Sequence, residues 1–339
     1  MLDHRPPTEY IPERSKWPRG RTVFFIIIIL LLGAGMYRFG ATKYSIAIEN
    51  PLLHFLYGQP APVTDKNYVT PEKDDNRLDV LILGIRGQND PDAVDGGPLL
   101  TDSIEVFSFD KTTHKSSLVS IPRDMFVMIH DDKKDKLNAA YEYGVDHTGD
   151  SLRFIEDKIS QITGIYIDKV IVFDFSSFKD IVDALGGIDI TLDKPFSESQ
   201  QWGDSFSLPA GLNHLDGQSA LYYARSRYST SDFDRSRRQQ QIMFAVKDKL
   251  LKLNFIGNPV KTFSILNIVR NDIHTDISIW DLKQFLDLTH QVNFAGIKRS
   301  VLSTDNLLLE SRGPDNTYIL LPKTGDFSEI KQLFQDILK

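Results

Sequence analysis

Leu78-Asp79-Val80-Leu81-Ile82-Leu83-Gly84-Ile85-Arg86-Gly87 is an apolar run broken only at Asp79, and it ends in a glycine-punctuated turn. A strand that is apolar at successive positions, rather than at alternate ones, is buried on both faces, so it belongs in the middle of a sheet covered by helices. In open α/β sheets ligands bind beyond the carboxyl ends of the strands, which directs attention to what the fold brings to that rim.

Working outward, further strands are expected over 103–109, 117–120 (stopped by Pro122), 169–173, 188–192 and 318–321. Between them lie helical periods. In 150–162 the apolar residues Leu152, Ile155, Ile159 and Ile162 recur three or four apart. A helix over 176–185 ends at Gly186-Gly187, where glycine adopts the left-handed cap at little cost. A long helix starts at Ser231, which has capping-box spacing to Asp234, and carries the stripe Ile242, Val246 and Leu250; two more are expected over 279–291 and 327–338. Strands alternating with helices predict an α/β layered fold, with residues 77–339 as one continuous domain.

Upstream, residues 23–32 are uninterruptedly apolar and 22–37 carry no charge, between Arg21 and Arg38. About 16 helical residues span roughly 24 Å, short of a ~30 Å hydrocarbon core, but flanking arginines can snorkel and the bilayer can thin. Arg5, Arg14, Lys16, Arg19 and Arg21 precede the segment, and the positive-inside rule keeps that end in the cytoplasm. The expectation is a cytoplasmic tail (1–21), a single transmembrane anchor (22–39), a proline-bearing spacer (40–76) and an extracytoplasmic domain. A cleaved signal peptide is the competing reading; it lacks a good small-residue cleavage site, since Gly33-Ala34-Gly35 is followed closely by Tyr37 and Phe39.

The 339-residue chain carries a net charge of −7, which argues against nucleic acid as a partner, and its absence of cysteine excludes disulfides, thiolate metal sites and cysteine nucleophiles. There is no Walker loop, dinucleotide fingerprint, nucleophile elbow or zinc-spaced histidine pair. Arginine clusters stand out instead. Arg123 follows Ser120-Ile121-Pro122 at a strand end, where it either holds an anion or forms an ordinary surface pair with Asp124. In Tyr222-Tyr223-Ala224-Arg225-Ser226-Arg227, read as extended, two arginines point the same way and suit an oligophosphate; a basic edge strand is the alternative. Arg235, Arg238 and Gln239 share a face in the first turns of the long helix, where the dipole favours an anion, or else form a solvated basic face. Asp102, in Thr101-Asp102-Ser103, is either a turn residue or a ligand for a magnesium that also touches phosphate. Many arginines without a protein nucleophile fit phosphoryl transfer, in which positioning and charge neutralisation supply most of the catalysis.

Taken in order, these stretches resemble the LytR-CpsA-Psr family. The matching text runs through Asp79–Gly84, Thr101-Asp102-Ser103-Ile104, Leu118-Val119-Ser120-Ile121-Pro122-Arg123-Asp124, Lys136-Leu137-Asn138-Ala139-Ala140-Tyr141, 182–189, Ala224-Arg225-Ser226-Arg227 and Asp232-Phe233-Asp234-Arg235 into Arg238-Gln239-Gln240. It covers 77–250 strongly and the remainder loosely. The resemblance implies a three-layer α-β-α domain with a central mixed sheet outside the membrane. It implies a polyprenyl-pyrophosphate-linked glycan as donor, with the lipid in an apolar tunnel, magnesium as cofactor and peptidoglycan or a related acceptor as recipient. On matching positions it makes Arg123, Arg225, Arg227, Arg235 and Gln239 the pyrophosphate ligands, and Asp102 the residue at the metal and the acceptor. The chain departs from the family at its first motif: Gly84-Ile85-Arg86-Gly87 lacks the usual aspartate, and Leu100 stands where the family has arginine. Arg86 is the candidate replacement for the charge, and Asp90, Asp92 or Asp95 for the carboxylate. A non-catalytic holder of lipid-linked precursor or envelope regulator, and a polyprenyl-pyrophosphate hydrolase, are the other activities such a site would support.

Overall fold

In the computed structural model the described residues are 69–88, 90, 97–130, 133–201, 205–252, 258–277, 292 and 296–339. The expected anchor at 22–39, the tail and most of the spacer lie outside them, as does the helix expected over 279–291. No helix among the described residues is long and apolar enough to cross a membrane.

The elements run β1 (Arg77–Ile85), β2 (Thr101–Asp110), β3 (Ser116–Ser120), β4 (Phe126–His130), β5 (Lys133–Lys136), α1 (Ala140–His147), α2 (Ser151–Thr163), β6 (Lys169–Asp174), α3 (Phe175–Ala184), β7 (Ile188–Leu192), β8 (Phe196–Glu198), β9 (Phe206–Leu208) and β10 (Gly211–Leu215). They continue through α4 (Gly217–Arg225), α5 (Asp232–Lys252), α6 (Pro259–Asp272), β11 (Ile273–Thr275), β12 (Lys298–Val301), β13 (Leu308–Arg312), β14 (Tyr318–Pro322) and α7 (Ser328–Asp336). The main sheet has the order β11-β6-β1-β2-β3-β12. It is mixed: β1 pairs parallel with β6 and antiparallel with β2, and β3 pairs antiparallel with β2 and parallel with β12. The apolar run at 78–85 is therefore central, as its composition demands.

Register sorts β1 between two faces. Leu81, Leu83 and Ile85 join Ile104, Val106 and Val119 in the main core, sealed by Leu152, Ile155 and Ile159 of α2 and by Ile330 and Phe334 of α7. Asp150 caps α2 by accepting from Arg153 N at 2.9 Å, and Gly164 ends it at φ 70°, so both boundaries follow from local chemistry. Leu83 is wholly buried. Its replacement by alanine is expected to cost about 3 kcal/mol, lowering the urea midpoint without changing the slope of the transition.

The opposite face is different. Val80, Ile82, Phe107 and Ile171 line it, and Ile82, Phe107 and Ile171 are only half-buried. Gly84 and Ser103 face each other at its upper end. A β-carbon on Gly84 would meet Ser103 Cβ at 3.2 Å and the Phe173 ring at 3.4 Å, so glycine lets the strands approach there. Helix α5 crosses this face, anchored by Gln240, which donates to Ser120 Oγ of β3 and to the Ser300 carbonyl of β12, both at 2.9 Å.

One local reading is corrected. Residues 217–225 are helical, so Arg225 closes α4 and Arg227 lies two residues beyond it. The extended reading of 222–227 rested on adjacent tyrosines, which favour strands weakly. The decisive local signal was Asp216, whose side chain accepts from Ser219 N at 2.7 Å and starts the helix.

Candidate active site

The carboxyl ends of β1 and β3, the first residues of β2 and the first turns of α5 meet at one rim. β1 delivers Arg86. The chain then turns at Gly87, where φ is 84° and a β-carbon would lie 2.5 Å from Asp174 Oδ2, so only glycine fits. β2 delivers Asp102, and the turn after β3 delivers Arg123. α5 delivers Arg235, and its start is fixed by a reciprocal cap: Ser231 Oγ accepts from Asp234 N at 3.1 Å, and Asp234 Oδ2 accepts from Ser231 N at 3.2 Å.

Asp102 is the hub. Arg123 Nη1 donates to its Oδ1 in a close ion pair. Arg86 Nε lies 3.5 Å from its Oδ2, and Arg235 Nη2 donates to its backbone carbonyl at 3.3 Å. Burial opposes the charge on Asp102, but Arg123, Arg235 and Arg86 outweigh it and hold the carboxyl below its ordinary range, so it is a carboxylate at neutral pH. Arg123 also faces Asp124 (3.6 Å) and Asp232 (4.0 Å). Burial works against its charge, yet Asp102, Asp232 and Asp124 together hold its pKa above the usual value. Asp124 in turn receives Lys136 Nζ at 2.7 Å.

Arg235 is the most perturbed cation of the site. It is 4% exposed, and burial, then repulsion from Arg123, then from Arg227, push its pKa down to about 10, although Asp232 at 2.9 Å and Asp102 pull the other way. Its Nε is buried without a hydrogen-bond partner. A guanidinium crowded by two others and incompletely matched by carboxylates marks a place where an anion is electrostatically wanted.

Arg225 stacks on Phe175 with 4.3 Å between guanidinium carbon and ring centroid, and reaches Asp90 Oδ2 at 3.4 Å. Gln201 staples this segment, accepting from Arg227 N at 2.8 Å and donating to the Arg225 carbonyl at 3.1 Å. Gln239 donates to the Ala224 carbonyl at 3.5 Å, beside them. Arg86, Asp102, Arg123, Arg225, Arg227, Arg235 and Gln239 thus fall on neighbouring elements. The proposed substitutes for the first motif also acquire partners: Arg86 faces Asp102 and Asp90 faces Arg225, while positions 92 and 95 lie outside the described residues.

Arg238 does something other than face an anion. It donates to the carbonyls of Tyr223 (2.9 Å) and Ser226 and to Thr230 Oγ1 (2.9 Å), tying the end of α4 to α5. Asp232 and Lys136 stand in the quoted matching stretches without being assigned to the site, and nothing local distinguishes Gln201 from a surface polar residue. Among the described residues no group of three or more His, Cys, Asp or Glu is arranged to hold a metal ion.

The model of the LytR_cpsA_psr family matches residues 57–335. The polyisoprenyl-teichoic acid–peptidoglycan teichoic acid transferase TagU of Enterococcus faecalis is 30% identical over 298 residues, covering 84% of this chain and 88% of that protein. The regulatory protein MsrR of Staphylococcus aureus is 30% identical over 210 residues, 61% of this chain and 58% of that protein. The crystal structure of Bacillus subtilis TagV superposes with a TM-score of 0.60 at 27% identity, over 78% of this chain and 98% of that one.

Proposed function

The chain belongs to the LytR-CpsA-Psr family, and we propose on that footing that it is a transferase moving a glycan phosphate from a polyprenyl-diphosphate carrier to a hydroxyl of peptidoglycan or a related acceptor. One observation carries the reading. Arg235 is buried at the rim of the sheet beside Arg123 and Arg227, and burial first, then those two cations, push its pKa down to about 10, a strain that a bound diphosphate relieves.

In this mechanism the diphosphate lies among Arg123, Arg225, Arg227 and Arg235, with Arg86 and Gln239 at its edge. The half-buried face of Ile82, Phe107 and Ile171 receives the first isoprene units. The acceptor hydroxyl attacks the phosphorus bonded to the glycan. The bridging P–O bond breaks, and polyprenyl phosphate leaves with the electron pair on an oxygen neutralised by the guanidiniums. Asp102 orients the incoming hydroxyl and takes its proton. Paired with three arginines it is a weak base, but once the diphosphate draws Arg123 and Arg235 to itself the carboxylate regains basicity, so activation follows donor binding.

Magnesium would fit as a cation arriving with the diphosphate, held on the protein side by the Asp102 carboxylate, since this ion at phosphate sites needs only one or two carboxylates beside phosphate and water. When bound it would add to the neutralisation of charge on the leaving phosphate. The segment 22–39 anchors the enzyme with its domain on the outer side of the membrane, where both lipid carrier and acceptor are found.

The full chain in proteoliposomes, given a polyprenyl-diphosphate-linked glycan, magnesium and peptidoglycan, is expected to release polyprenyl phosphate in step with glycan attachment. The kinship to a protein named as regulatory supports a second reading, a holder of precursor without turnover. Binding with no release in that assay would establish it, and release without attachment would identify a hydrolase.

A further inference from the structure

Beneath the arginine cluster lies a polar chain that the mechanism does not use. Glu105 sits in β2 three residues on from Asp102 and is 1% exposed. Its Oε1 accepts from Ser120 Oγ at 3.4 Å. Ser120 lies three residues before Arg123, and its Oγ accepts from Gln240 Nε2 at 2.9 Å; Gln240 is five residues on from Arg235 and 4% exposed. The segments that carry Asp102, Arg123 and Arg235 are therefore linked, three to five residues from those side chains, by one buried hydrogen-bonded chain. The second carboxyl oxygen of Glu105 is buried with no hydrogen-bond partner. In register, β1 presents Ile82 to it and β3 presents Ser120, while α5 presents Gln240 to Ser120. Among the described residues no titratable or charged group faces Glu105 from these elements.

We propose that Glu105 and Gln240 are positioning residues for the diphosphate site, joined through Ser120 into a clamp that seats α5 on β2 and β3 only while Glu105 keeps its proton. The neutral acid accepts from Ser120 as an amide would. An anion in the same place has an unpartnered oxygen against an apolar wall, and the way to solvate it is to admit water between α5 and the sheet. That displaces Arg235 relative to Asp102 and Arg123, and the anion site loses its convergence. The geometry agrees with the titration: burial, only slightly offset by Ser120, pushes Glu105 up to about 8. Between pH 7 and pH 9 its protonated share then falls from about nine-tenths to about one-tenth. Arg235, at about 10, holds its charge through most of this window.

The proposal rests on the transferase reading, so the test reads binding as well as turnover. Geranylgeranyl diphosphate is titrated into the full chain by calorimetry from pH 7 to pH 9. Wild type is expected to weaken about tenfold across that range, as the competent fraction falls. Glu105→Gln, which keeps the acceptor and cannot ionise, is expected to bind as wild type does at pH 7 and to change less than about twofold by pH 9. Glu105→Leu removes the acceptor and is expected to bind about tenfold more weakly at pH 7, a loss that Glu105→Gln does not share. Stability adds a readout independent of ligand. The folded state holds this proton far more tightly than the unfolded chain, whose value is 4.5, so wild-type stability falls as pH rises from about 4.5 to about 8. The melting temperature of Glu105→Gln should gain on wild type over that interval and run parallel above it. Parallel pH dependence of binding in wild type and Glu105→Gln overturns the clamp while leaving the transferase reading intact. Failure of wild type to bind the diphosphate at any pH overturns both.

Discussion

Replacing Arg123 by alanine is expected to lower kcat/KM for glycan transfer by about 10³-fold, with the loss shared between donor affinity and turnover. The side chain is one of the most enclosed charges at the rim, 11% exposed, and among the described residues it alone faces Asp102, Asp124 and Asp232 together. Its guanidinium is thus held at the rim before any ligand arrives, and from there a diphosphate draws it off Asp102. Removing it deletes a charge-assisted contact and also leaves three carboxylates facing the incoming anion with less cover. Arg123→Lys should recover only a small part, since an ammonium cannot span two oxygens as a planar fork does. Arg237 supplies the control: it lies on α5 two residues from Arg235, half-exposed and paired with Asp234 at 2.6 Å, and its alanine variant should stay within about twofold of wild type. Steady-state transfer rates with calorimetric donor affinities check the set. Wild-type donor affinity in Arg123→Ala would remove this residue from the site.

Asp102→Asn is expected to separate binding from chemistry. Without magnesium, a carboxylate about 5 Å from a phosphate oxygen repels it by about 3 kcal/mol at an effective dielectric of ~20. Part of that is recovered as freed arginines turn to the ligand, so donor affinity should rise about tenfold in the variant. Turnover should nevertheless fall about 10³-fold, because the group that orients and deprotonates the acceptor is gone. Magnesium reverses the order: wild type gains donor affinity when the ion is added and Asp102→Asn does not. Calorimetry with and without magnesium checks this, and equal magnesium dependence in both proteins would remove Asp102 from any metal role.

The site was legible from sequence to the extent that its chemistry is local. Arg123 is announced by the proline that ends β3, and Arg235 by a helix cap placed just before it. Arg225 and Arg227 were found as residues but misread as geometry, since a tyrosine pair with arginines two apart resembles a strand edge, and the cap at Asp216 carried the correct answer. Glu105 was overlooked for a similar reason. A glutamate inside a strand is normally taken to face solvent, and the link from Glu105 through Ser120 to α5 is made by residues far along the chain.

The amino-acid order alone determined that a doubly buried strand sits at the centre of an α/β sheet, where α2, α3, α5 and α7 lie, and which arginines cluster along the chain. Periodicity and capping are interactions among residues a few positions apart, so they can be read without coordinates. Which guanidinium meets which carboxylate was decided only by tertiary structure. Asp102 and Arg123 are 21 residues apart, and Asp102 and Arg235 are 133 apart. Contacts at such separations depend on how β2, β3 and α5 pack, and the charge balance that makes the rim an anion site exists only once they have.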